Sequence, residues 1–177
     1  MIIFDTETTG LLLPEGAPLD NQPRIIEFAA IKVNSNLEEV SRLDFLCHPG
    51  IPISAEITKI TGLKDSDLAD KKPFRANIKA LQSLFLGVRT IIAHNLTFDI
   101  GMLTHELVRC DALTKFPWPP EQICTVEATY HIYNRRMSLG ELYQHYHQTE
   151  AANKHRAIGD VETLLACMRA MRKDGIL

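Results

Sequence analysis

The sequence predicts an α/β fold on a mixed sheet, and two observations carry that prediction. The first half reads as consecutive hairpin-linked strands, and the second half alternates short apolar strands with amphipathic helical patterns. Hairpins supply antiparallel neighbours and strand–helix–strand units supply parallel ones, so together they give a mixed sheet. Residues 1–6 open the chain as a strand, and residues of about 25–34 and 41–48 complete an antiparallel meander. Helical patterns follow near 54–60 and 74–87. A fourth strand at 90–94 leads into a helix at about 96–109, and a short strand near 122–125 precedes helices near 126–133, 138–147 and 157–173.

The opening strand is an apolar run, Met1-Ile2-Ile3-Phe4, that meets Asp5-Thr6-Glu7-Thr8-Thr9-Gly10. An apolar run ended by a polar, glycine-terminated stretch is a buried strand entering a turn. Residues two apart share a strand face, so Asp5 and Glu7 project together. Two such carboxylates repel unless one is protonated or a cation lies between them. Hard cations such as Mg²⁺ and Mn²⁺ prefer carboxylate oxygens. Taken alone, the pair also fits a solvated strand end.

A second polar segment, His94-Asn95-Leu96-Thr97-Phe98-Asp99, follows the apolar strand Thr90–Ala93. Asn95 is a good helix N-cap, and Ile100, Leu103 and Leu107 continue at helical spacing. Asp99 then falls in the first helical turn, where it either complements the helix dipole or faces a metal. His94 reads as a buried, hydrogen-bonded histidine, and Phe98 as half core with an outer face free to stack. The third segment, His155-Arg156-Ala157-Ile158-Gly159-Asp160, precedes an amphipathic helix marked by Val161, Leu164, Leu165, Met168 and Met171. Five residues of helix turn through about 500°, so His155 and Asp160 would not share a helical face. His155 therefore belongs to the loop entering the helix or to its frayed first turn, and Asp160 is a site acid, an N-cap or a solvated acid.

These three segments, in this order, resemble the exonuclease motifs of the DEDD 3′–5′ exonucleases, in the subgroup with a histidine in the third motif. That family includes the epsilon proofreading subunit of bacterial DNA polymerase III, RNase T and oligoribonuclease. Arg24–Ile31 is similar to the family's second strand, and Ile57–Leu63 to its small helix and turn. The resemblance implies an RNase H-like fold, a mixed five-stranded sheet with helices on both faces. It implies two divalent metal ions, Mg²⁺ or Mn²⁺, held by Asp5, Glu7, Asp99 and Asp160, with His155 taking a proton from the attacking water. It also implies a terminal-nucleotide pocket at Thr8, Thr9, Gly10 and Leu11, with Asn95 and Phe98 as further contacts. Leu11 can wedge between the last two bases or pack on the core.

The partners this implies are 3′ ends of single-stranded DNA or RNA, with a DNA polymerase as a further candidate. DNA is the leading substrate, with RNA and a non-catalytic nucleic-acid-binding module as alternatives. The net charge of −3 includes −4 from the four metal carboxylates, which leaves the remainder at +1. The chain therefore lacks the broad basic footprint of a long-duplex binder. Arg135, Arg136, Lys154 and Arg156 are either phosphate contacts or solvated surface charges. The 177 residues suffice for one domain spanning 1–177, with no linker, repeat or low-complexity tract to divide them. No apolar stretch reaches membrane-spanning length, and a functional motif at residue 5 predicts no signal peptide. Cys47, Cys110, Cys124 and Cys167 are widely spaced, as in a cytoplasmic protein with reduced thiols. The connection from Gly10 to Arg24, with Pro14, Pro18 and Pro23, lies beside the expected nucleotide pocket.

Overall fold

Ile2, Ile3 and Phe4 are fully buried, and the strand they begin is the middle one of five. A computed structural model describes residues 1–151 and 155–176. β1 (Ile2–Thr8), β2 (Ile25–Val33) and β3 (Glu39–Leu46) form the antiparallel meander. After α1 (Ala55–Thr61), α2 (Asp65–Leu68) and α3 (Ile78–Phe85), β4 (Thr90–Ala93) pairs parallel with β1 and leads into α4 (Leu96–Arg109). β5 (Glu121–Cys124) pairs parallel with β4 and is followed by α5 (Thr125–Tyr133), α6 (Leu139–His147) and α7 (Ala157–Lys173). The strand order is β3-β2-β1-β4-β5. This is the α/β mixed sheet that the pattern predicts.

Strand alternation sorts the core into two faces. Ile2, Phe4, Phe28 and Ile91 pack with Leu81 and Phe85 of α3 and Met102, Leu103 and Leu107 of α4. Ile3, Ala29, Ile31 and Ile92 pack with Val161, Leu164, Leu165 and Met168 of α7. On the α7 side, Leu142 of α6 meets Cys167 and Met171. A smaller cluster, Ile26, Ile53, Leu63 and Leu68, seats α1 and α2 beside the sheet. Among the described residues no helix is long and apolar enough to cross a membrane. All four cysteines are unpaired.

Several elements differ from expectation, among them β3, which runs Glu39–Leu46 where a strand over 41–48 is expected. The helix expected over 74–87 is a 3₁₀ turn at Phe74–Asn77 followed by α3, which ends where Leu86 becomes extended and Gly87 takes φ +71°. α2, a single turn, is too short to leave a periodic signal. β1 continues to Thr8 instead of ending at residue 6, because Glu7 and Thr8 still pair with β2 across a bulge. Bulges of this kind re-aim side chains near the end of a strand.

Candidate active site at the end of the central strand

The parity of β1 determines which helix each acid meets. Asp5 and Glu7 share the face of Ile3, toward α7, whereas Thr6 shares the opposite face, toward α4. The Thr6 hydroxyl donates a 2.7 Å hydrogen bond to Asp99 Oδ1, so an intervening threonine pins the acid in the first turn of α4. Asp160 stands in the first turn of α7. The two helices thus bring their N-termini, which favour negative charge, to one end of β1 from opposite faces.

His155 lies outside α7, exposed, with its backbone at φ +60°. Its N–H donates to Asp160 Oδ2 at 3.2 Å. Glu7, His155 and Asp160 each offer a ligand atom within 4.8 Å of the others. Asp5 lies two residues before Glu7 on the same strand face, where the charges of Asp99, Asp160 and Glu7 all raise its carboxyl.

The carboxylates strongly perturb one another. Burial, reinforced by Asp99, Asp160, Glu7 and Glu27, holds the Asp5 carboxyl well above the usual carboxylate range. Burial, with Asp160, Glu27 and Asp99 adding to it, pushes Glu7 up to about 8. Burial pushes Asp99 up to about 7 despite the opposing Thr6 hydrogen bond. Asp160 is also raised by burial, against the favourable pull of His155. Such a concentration of oxygen donors, costly to ionise together, fits hard divalent cations, which relieve the repulsion by binding all of them.

Beside the acids lies a cleft of about 560 Å³ lined by Thr6–Leu11, Leu13 and Phe98, and by Ser54, Glu56, Ile57, Ile60 and Thr61. The α1 wall is well built. Ser54 Oγ accepts from Ile57 N at 3.2 Å, and Gly62 closes the helix at φ +75°. Leu11 is 81% exposed, so its side chain does not pack on the core. Phe98 is partly buried against the α4 core and still reaches the cleft. The hydroxyls of Thr8 and Thr9 are committed to their own loop, to Gly10 O at 2.7 Å and from Arg24 N at 2.9 Å. A Cβ on Gly10 would meet only Pro23 Cβ at 4.0 Å, so the fold itself does not demand glycine there.

Asn95 departs from expectation. It occupies the N-cap position of α4, yet at φ +74° its side chain makes no capping bond and is exposed, and it does not line the cleft. A capping side chain needs an extended backbone to reach the N2 or N3 amide, whereas asparagine here serves the left-handed turn. His94 is held as expected, between Thr125 Oγ1 at 3.0 Å and Met137 O at 2.9 Å. Arg135 and Arg136 are paired with Glu141 and Glu127, and Arg156 with Glu27. Lys154 lies outside the described residues.

Sequence reasoning missed Thr6, the α1 wall and Glu27. A lone acid inside the apolar run Ile25–Ile31 was a usable signal for Glu27, because a buried carboxylate needs a partner. The Gly10–Arg24 connection proves to be a pinned wall. Arg109, with its side chain 8% exposed, donates to Leu19 O, Gln22 O and Pro23 O, and Leu12 packs onto Gly101 of α4.

Similarity to known proteins agrees with this geometry. The family model described as Exonuclease (RNase_T) matches residues 2–168. A DNA polymerase III PolC-type of Streptococcus pyogenes serotype M2 (strain MGAS10270) is 34% identical over 164 residues, which cover 91% of this chain. The chain spans about 10% of the length of that polymerase. Among solved structures, exonuclease X in complex with 5′ overhanging duplex DNA is 25% identical with a TM-score of 0.66, covering 98% of this chain and 92% of that one. Exonuclease I is 20% identical with a TM-score of 0.78, covering 97% of this chain and 40% of that one, a likeness of fold. The chain belongs to the exonuclease family, among the DEDD 3′–5′ exonucleases with a histidine in the third motif.

Proposed function

We propose that the chain shortens single-stranded DNA from its 3′ end to nucleoside 5′-monophosphates, with Asp5, Glu7, Asp99 and Asp160 holding two divalent ions and His155 as general base. The observation that carries this reading is the meeting of four carboxylates and an imidazole at the end of β1, beside a cleft sized for a nucleotide. Held there by Asp5, Glu7, Asp99 and Asp160, two divalent ions would supply Lewis-acid activation of water and offset charge developing around phosphorus. His155, exposed beside Glu7 and Asp160, accepts the proton of the attacking water. The water oxygen bonds to phosphorus, and the 3′ oxygen of the preceding nucleotide leaves. Thr6 keeps Asp99 aimed into the site throughout.

The cleft explains end selection. Leu11, Ile57, Ile60 and Phe98 offer apolar surface to the terminal base, while Gly10 admits close approach of the backbone. Burying a leucine side chain is worth about 1.5–3 kcal/mol, so Leu11→Ala should raise KM for a DNA oligonucleotide ~10-fold with kcat little changed. Its thermal melt should match wild type, because Leu11 supports nothing beneath it. An unchanged KM would remove Leu11 from the substrate site.

DNA is favoured over RNA because the 34% identical relatives are DNA polymerases. The same similarity supports work in replication or repair beside a DNA polymerase, and the unpaired cysteines support a cytoplasmic setting. The test is a time course on 5′-labelled single-stranded DNA and RNA of one sequence, with Mg²⁺ or Mn²⁺, on a denaturing gel. A ladder shrinking from the 3′ end, faster for DNA, is expected. A faster RNA ladder would make the chain an exoribonuclease. Two intact strands would leave a non-catalytic binding module.

A further inference from the structure

Glu27 is an acid in the middle of an apolar strand, 4% exposed, opposite Glu7 in the β1–β2 register. A buried carboxylate is retained only with partners, and both partners of Glu27 come from the segment that carries His155. Arg156 donates from Nε to Oε2 at 3.0 Å and to Oε1 at 3.2 Å, and from Nη2 to Oε1 at 2.9 Å. The amide of Ala157, the first residue of α7, donates to Oε2 at 3.2 Å. Arg156 is itself the N-cap of α7 and its side chain makes no capping bond. Glu27 therefore supplies, from a neighbouring strand, the acceptor that the start of this helix lacks.

The residue just before this clamp is strained. His155 holds a left-handed backbone at φ +60°, which a histidine keeps only when its surroundings over-determine it. Asp160 fixes its amide from one side, and Glu27 fixes the next two residues from the other. Glu27 is thus bound to the sheet beneath Glu7, and the His155 segment is bound to Glu27.

We propose that Glu27 is a positioning residue, which acts through Arg156 and the Ala157 amide to hold His155 and Asp160 in register with Glu7. Glu27 touches no reacting atom itself, and Arg156 is committed to it instead of to a substrate phosphate. This rests on the reading of His155 as the general base.

The test measures kcat and KM on 5′-labelled single-stranded DNA at saturating Mg²⁺ for wild type, Glu27→Gln, Arg156→Lys, His155→Ala and the double variant Glu27→Gln/His155→Ala. Loss of a partner that orients a metal-site group typically costs 10–100-fold, so Glu27→Gln should lower kcat ~30-fold with KM within about threefold. Arg156→Lys, which keeps the charge and loses the paired geometry, should lower kcat ~10-fold and stands in if Glu27→Gln fails to fold. Removing a general base costs ~10²–10⁴-fold, so His155→Ala should be severe in the wild-type background. In the Glu27→Gln background it should cost ~30-fold less than in wild type, because the two changes remove one shared contribution. A purely structural role predicts additive losses, and additivity overturns the proposal. So does a loss confined to KM, or a kcat within about twofold of wild type in Glu27→Gln or its stand-in. A wild-type chain with no turnover overturns the nuclease reading and the clamp with it, whereas full activity in Glu27→Gln and Arg156→Lys, with His155→Ala impaired, overturns only the clamp.

Discussion

Asp5→Asn should abolish strand shortening, with kcat lowered by ~10³-fold or more, while the metal-free protein becomes more stable. Each half follows from where Asp5 sits. It projects from the central strand into a group with Glu7, Asp99 and Asp160, so its loss removes an oxygen donor from the middle of the proposed metal site. Metal ions in such sites supply several kcal/mol of charge stabilisation, and at about 1.4 kcal/mol per tenfold a loss of about 4 kcal/mol is ~10³-fold in rate. The same carboxyl is held well above the usual range by burial and by Asp99, Asp160, Glu7 and Glu27. An amide of the same shape removes one member of that repulsive set. At pH 9 in a chelator, Asp5→Asn should therefore melt at a higher temperature than wild type. Sites of this kind trade stability for function. A variant that still cleaves within tenfold of wild type would show that the acids are not the catalytic centre. A lower melt at pH 9 would show that the carboxylates do not oppose one another.

Removing divalent ions should eliminate activity, and the stability that the ions confer should grow with pH. The sign follows from the shifts. In the unfolded chain Glu7 and Asp99 lose their protons near pH 4, as carboxylates ordinarily do. In the folded chain burial holds Glu7 at about 8 and Asp99 at about 7. Between those limits the folded state binds more protons than the unfolded state, so stability falls as pH rises. The contribution of these two groups is fully present below the unfolded values and gone above the folded ones. A divalent ion replaces the protons and offsets the repulsion, provided the carboxylates are free to release them. Saturating Mn²⁺ should therefore raise the melting temperature little at pH 5.5 and markedly at pH 8.5, with turnover in the same pH 8.5 sample abolished by chelator and restored by Mg²⁺. Equal metal-induced shifts at the two pH values would contradict the assigned proton count.

Much of this centre was legible in one dimension because its chemistry is local. Asp5 and Glu7 are two apart on an apolar strand, a spacing that places them on one face whatever the rest of the chain does. Asp99 and Asp160 stand at the starts of helices that the apolar spacing already marked. The angle between helical positions separated His155 from the face of Asp160 and left it to the entering loop or the first turn, and the structure has it before α7. The five-stranded mixed sheet followed from hairpins succeeded by strand–helix units. Single turns and strand ends were less legible, since α2 and the last two residues of β1 are held by partners distant in the chain.

The sequence by itself thus determined the class of fold, the acids and the histidine, because side-chain periodicity and residue chemistry are properties of short segments. The tertiary structure decided which groups support them. Thr6 meets Asp99 across 93 residues, Glu27 meets Arg156 across 129, and α1 closes the cleft opposite Leu11 and Phe98. It also decided that Asn95 serves a left-handed turn and that Arg156 is committed to Glu27. Those outcomes depend on the β1–β2 register and on how α4 and α7 seat against opposite faces of the sheet. Burial and pairing between distant segments, not local propensity, determine both.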